Sequence, residues 1–68
     1  MSEKLYWDSV FAIAMALKIG HPGIEISQVS VQNIYDWTVE LENFSDDPAL
    51  ANDEILLAIF QEWFEEML

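Results

Sequence analysis

A chain of 68 residues with thirteen Asp and Glu, two Lys, no Arg and no Cys carries a formal charge of −11 at neutral pH. Such a surface repels phosphate backbones, which argues against a nucleic-acid ligand, and makes a basic protein surface or a cation the natural counterpart. Plain solubility is the alternative reading of the same charge. Without cysteine there is no disulfide, no thiolate metal site and no cysteine nucleophile, a composition that fits a reducing cytoplasm.

Hydrophobic residues make up 53% of the chain and three are tryptophan, so a folded domain is expected rather than an acidic tail. At this length only one marginal core fits, a single domain over residues 1–68. The longest apolar run, Val10 to Leu17, is eight residues, far short of the roughly 20 that span a bilayer. Met1 to Leu5 offers neither the basic start nor the cleavage site of a signal peptide. No membrane association is expected.

In chain order, Met1 to Trp7 reads as a lead-in in which Leu5 and Trp7 alternate as in an extended segment. Asp8 or Ser9 can cap a first helix, with Gly20 its left-handed closing residue and Pro22 blocking continuation. Val10, Ile13, Ala14 and Leu17 form its inward stripe. The opposite side, with Phe11, Ala12, Met15 and Ile19, is also apolar, and a contact surface is favoured there over a second buried face. Gly23 to Ser30 connects to the next helix, either extended or as one helical turn.

The second helix starts between Ser30 and Asn33 and buries Ile34, Trp37, Thr38 and Leu41 at helical spacing. Asp36 and Glu40 fall outward. Phe44 packs back onto the core, and Asp47 with Pro48 starts a single helical turn. Asn52 caps the third helix, with Asp53 and Glu54 in its first turn at the positive end of the helix dipole. Ile55, Leu56, Ile59, Phe60, Trp63, Phe64 and Met67 form its apolar stripe, and Leu57 lies off it. Glu65 and Glu66 close the helix, where negative charge is mildly unfavourable.

Catalytic patterns are missing from the sequence. His21 is the single histidine and reads as an exposed loop residue. Asp8-Ser9-Val10 is similar to the serine attachment site of acyl carrier proteins, but too few residues precede it to build the helix that comes first there. No glycine-rich phosphate loop, nucleophile–base pair, HExxH or EF-hand spacing occurs, so the chain is not expected to be an enzyme. The acids around the turn remain. Asp36, Glu40, Asp46, Asp47, Asp53 and Glu54 would converge if the second and third helices pack side by side. Carboxylates alone are hard ligands suited to weak, water-rich binding of divalent cations; a solvated edge with two ordinary helix caps is the alternative.

Leu5, Trp7, Ile13, Ala16, Leu17, Pro22, Val29, Trp37, Leu41, Phe44, Asp46, Asp47, Pro48, Asn52, Ile55, Leu56, Ile59 and Trp63 follow one another in an order that resembles the IscX family of small acidic iron–sulfur cluster assembly proteins. The resemblance implies a mainly α, three-helix domain related to winged helices, with at most a vestigial β-sheet. It implies a non-catalytic regulator or adaptor that docks an acidic face on a basic patch of a cysteine desulfurase and binds ferrous iron weakly. The docking residues would be Asp36, Glu40, Glu42, Asp46, Asp47, Asp53 and Glu54, with Asp46, Asp47 and Glu40 contacting iron. A generic acidic module with another basic partner is the alternative.

Departures from the family pattern fall at Gly23-Ile24-Glu25-Ile26, which keeps one acid and no proline, at Val29-Ser30-Val31, which lacks an arginine, and at Asn43 and Ser45, where relatives carry acids. Phe11, Met15, Ile19 and Leu57 stand where relatives are polar. They are expected to form an extra apolar contact, for a partner or for self-association of an otherwise monomeric protein.

Overall fold

Leu5 and Trp7 take their places beside the acidic turn before any helix has begun. The computed structural model describes residues 3–68; Met1 and Ser2, the start of the expected lead-in, lie outside the described residues. Leu5 forms a parallel β-bridge with Phe44, its amide donating to the Asn43 carbonyl at 2.8 Å and its carbonyl accepting from Ser45 at 2.8 Å. The side-chain Nδ2 of Asn43 donates to the Glu3 carbonyl at 2.6 Å. This bridge is all the sheet there is among the described residues, and the fold is mainly α, as expected.

The first helix, α1, runs Val10–Gly20 and buries Ile13, Ala14 and Leu17. Ser9 occupies its N-cap position without capping by its side chain. The hydroxyl instead faces back to the Tyr6 amide at 3.4 Å, in a turn closed by the Ser9 amide on the Tyr6 carbonyl at 2.8 Å. Gly20 is not the left-handed residue: the helix runs through it, and Gly23 has the positive φ of 84°. His21-Pro22-Gly23-Ile24 is the reason. Ile24 donates to the His21 carbonyl at 3.4 Å, so proline and glycine hold the two central positions of a type II turn, where proline presets φ and only glycine enters the left-handed region without strain. The connector then makes one 3₁₀ turn, Ile26–Gln28, which buries Ile26.

The second helix, α2, covers Val31–Val39. Ser30 and Asn33 cap it reciprocally: the Ser30 hydroxyl accepts from the Asn33 amide at 3.1 Å, and Asn33 Oδ1 accepts from the Ser30 amide at 3.1 Å. Two otherwise orphan donors are satisfied at once. Ile34 and Thr38 are fully buried, while Trp37 and Leu41 are only half-buried at the edge of the core. A second 3₁₀ turn, Pro48–Leu50, starts at Asp47, whose carboxylate accepts from the Ala49 amide at 2.9 Å. The third helix, α3, spans Asp53–Glu66, with Asn52 Oδ1 accepting from the Ile55 amide at 2.9 Å. The core gathers Leu56, Ile59 and Trp63 of α3 against Ile13, Ala14 and Leu17 of α1, Ile34 of α2, and Leu5 and Trp7.

The Thr38 hydroxyl is buried with no hydrogen-bond partner. A donor stripped of water and left unpaired costs about 1–3 kcal/mol. Replacing it with the similarly shaped valine is therefore expected to raise stability by about 1 kcal/mol, or a melting temperature by roughly 4–8 °C in a domain of this size. Thermal unfolding of Thr38→Val checks this; a fall in the midpoint would mean that the hydroxyl is paired in solution.

Candidate functional site

The acidic turn hangs between the C-terminal end of α2 and the start of α3, and the lead-in fixes it. Trp7 is 2% exposed; its ring meets Phe44 edge-on at 4.8 Å and stacks on Tyr35 of α2 at 6.1 Å. Its indole Nε1–H donates to the Asp47 carbonyl at 2.8 Å. Its backbone amide donates to Asp46 Oδ2 at 3.0 Å, while Asp46 Oδ1 accepts from the Asp47 amide at 2.8 Å. Both oxygens of Asp46 are thus engaged by backbone N–H groups, and the side chain is half-buried. Asp46 works inside the fold as a brace between the lead-in and the turn.

The other predicted docking acids face solvent. Asp36, Glu40, Glu42, Asp47, Asp53 and Glu54 are all exposed. Asp36 accepts from the Gln32 amide at 3.0 Å. A cleft of about 260 Å³ opens between α2 and the start of α3, with Gln32 and Tyr35 on one wall and Pro48, Asn52 and Asp53 on the other. Asp53 lines this cleft, and Asp36 is tied to its opposite wall through Gln32. Glu40 and Glu42 belong to the opposite end of α2, so the acids form a spread rim rather than a single focus. No three His, Cys, Asp or Glu side chains among the described residues are grouped so as to hold a metal ion. With both Asp46 oxygens already accepting, the turn offers no preassembled chelate for iron.

His21 is half-buried rather than exposed. Its ring stacks on Trp37 at 4.1 Å and lies 6.4 Å from Trp63, which makes it a lid over the tryptophan pair. Of the four apolar residues marked for an extra contact, Phe11, Ile19 and Leu57 are exposed, and Met15 is half-buried against the core. Phe64 and Met67, placed by periodicity on the inward stripe, are 41% and 45% exposed. Met67 lies at the very end of α3, past Trp63, and Phe64 falls on the flank shared with Leu57. No helix of the described residues is long and apolar enough to cross a membrane.

A family model described as iron–sulphur cluster assembly matches residues 5–68. The chain belongs to this family. An uncharacterized protein of Pseudomonas aeruginosa is 37% identical over 62 residues, which is 91% of this chain and 94% of the relative. The IscX-type resemblance read from the order of residues stands. The match begins at Leu5, the residue that opens the β-bridge, so the lead-in belongs to the family domain.

The departures of this iron–sulphur cluster assembly protein from the family pattern have local structural work. Asn43 and Ser45, in place of acids, trade charge for hydrogen bonds: Asn43 holds the Glu3 carbonyl, and the Ser45 hydroxyl donates to the Asn43 carbonyl at 3.3 Å. Ser30, in place of arginine, caps α2, and Gly23 makes the type II turn.

Proposed function

We propose that this chain is a non-catalytic regulator or adaptor of iron–sulphur cluster assembly in the cytoplasm, docking its acidic rim on a basic patch of a cysteine desulfurase. The observation that carries the reading is the rim itself. Asp36, Glu40, Glu42, Asp47, Asp53 and Glu54 are exposed on the elements around the turn, in a family whose described role is cluster assembly. A surface this acidic speeds encounter with a basic partner and fixes orientation more than it adds affinity. Ferrous iron in this reading is cargo or signal, met through water by exposed carboxylates such as Glu40 and Asp47 rather than held in a closed pocket. Regulation then rests on occupying the desulfurase, not on chemistry by this chain.

Exposed ion pairs contribute roughly 0.2–1 kcal/mol each and are screened by salt. Neutralising Asp36 and Glu40 together (Asp36→Asn, Glu40→Gln) is expected to weaken desulfurase binding about 2- to 30-fold. The affinity of the unaltered chain should fall steadily with ionic strength. Titration of purified desulfurase into isotope-labelled chain measures both. No perturbation of any signal around the turn would remove the proposal. Binding that is indifferent to salt and to the double substitution would move the contact off the acidic rim.

A further inference from the structure

The apolar surface of α3 is wider than the core that covers it. Successive helical residues are turned by about 100°, and Leu56, Ile59 and Trp63, the buried residues of α3, occupy one arc. Phe60, Phe64, Leu57 and Leu68 continue round the helix from the edge of that arc, away from α1 and α2. They line an open groove of about 650 Å³ with Gln61 and Glu65 on its far side. Leu57 is 55% exposed and Leu68 88%. The rings of Phe60 and Phe64 are stacked at 6.4 Å, 21° from parallel, so the floor of the groove is formed in the free protein. An exposed apolar face rimmed by polar side chains is the form that contact sites take.

What fits it follows from its walls. Every lining residue comes from α3 and its tail, so a small molecule would be covered on one side only, whereas ligand pockets enclose most of their guest. Glu54, Gln61 and Glu65 share the far edge at helical spacing. Among the described residues the basic side chain that reaches this helix is Lys18, whose ammonium sits 3.5 Å from the Glu66 carbonyl, at the helix end. A second copy of the chain would bring another formal charge of −11, and like net charges oppose association.

We propose that this groove receives an amphipathic helix of a protein partner, with large aliphatic side chains at i, i+4 and i+7 against Leu57, Phe60 and Phe64 and with lysine or arginine along the edge facing Glu54 and Glu65. The site shares only Glu54 with the acidic rim and stands without the docking proposed above. It absorbs Leu57 from the four residues the sequence marked and replaces the other three with Phe60, Phe64 and Leu68.

The probe is a synthetic peptide of about 18 residues, long enough to be helical, with leucine at that spacing and lysine elsewhere. Binding is followed by amide shifts of the labelled chain and by calorimetry. The expected result is shifts centred on Leu57, Gln61 and Phe64, and affinity lowered by more than about tenfold in Leu57→Gln/Phe64→Gln. Leu57→Gln alone, at an exposed position, secures the comparison if the double variant loses structure. A lysine peptide with serine for leucine should bind more weakly and elsewhere, and a glutamate-for-lysine peptide should not bind. Equal affinity of the serine peptide, equal affinity of the glutamate peptide, or indifference to Leu57→Gln would each overturn the proposal. So would sedimentation showing a dimer of the free chain that Leu57→Gln dissociates, because the occupant would then be a second copy. The Asp36→Asn, Glu40→Gln variant should keep the groove shifts, which separates failure here from failure of the desulfurase reading.

Discussion

Trp7→Ala is expected to leave the chain largely unfolded at ambient temperature. Truncating a buried tryptophan costs about 3–5 kcal/mol, and a domain of this length has only roughly 3–10 kcal/mol in total. Here the loss is concentrated. The indole packs on Tyr35 and Phe44 and donates to the Asp47 carbonyl, so its removal opens a cavity at the seam between lead-in, α2 and turn. Trp7→Phe keeps an aromatic ring in place and loses the indole donor, and should cost only about 1–2 kcal/mol. Urea unfolding of both variants followed by far-ultraviolet circular dichroism gives the test. A Trp7→Ala protein within about 1 kcal/mol of the parent would show that the seam is not what holds the turn.

Asp46→Asn is expected to lower stability by about 1–3 kcal/mol, whereas Asp47→Asn should be close to neutral. The difference comes from what each carboxylate accepts. Asp46 takes the Trp7 amide on one oxygen and the Asp47 amide on the other. An asparagine has a single acceptor oxygen, and its NH₂ would face an N–H donor. Asp47 uses only Oδ1, on the Ala49 amide, and asparagine keeps that acceptor, since the two residues are near equals as N-caps. Urea midpoints of the two single variants measured side by side decide the matter. Equal midpoints would mean that Asp46 is as free as Asp47 to meet a partner. With the expected result, charge removal at Asp47, Asp36 or Glu40 reports on docking, while removal at Asp46 reports on folding as well.

Much of the chain was legible before its structure. The start of α2 between Ser30 and Asn33, the start of α3 at Asn52, the helical turn begun by Asp47 and Pro48, and the buried Ile13, Ala14 and Leu17 of α1 and Ile34 and Thr38 of α2 all follow from residues within four positions of one another. Caps and helical periodicity are local, so a one-dimensional reading captures them. Family membership was equally legible, because it rests on the order and spacing of residues such as Trp7, Phe44, Asp46, Asp47 and Pro48. The left-handed residue is Gly23 and not Gly20, and its signal is local too, in the His21-Pro22-Gly23-Ile24 turn.

Only the tertiary structure decided the rest. The Asp46 partner at Trp7 is 39 residues away, and nothing near Asp46 in sequence distinguishes a brace from a free docking acid. His21 became a lid on Trp37 because the turn after α1 meets the face of α2. The α3 stripe reads as one continuous apolar band, yet how much of a 14-residue helix is covered depends on its neighbours, here of 11 and nine residues. Two short helices on one side of a long one bury Leu56, Ile59 and Trp63 and leave Leu57, Phe64 and Leu68 in water. Apolar periodicity determines which residues could be buried; the geometry of what packs against them determines which are.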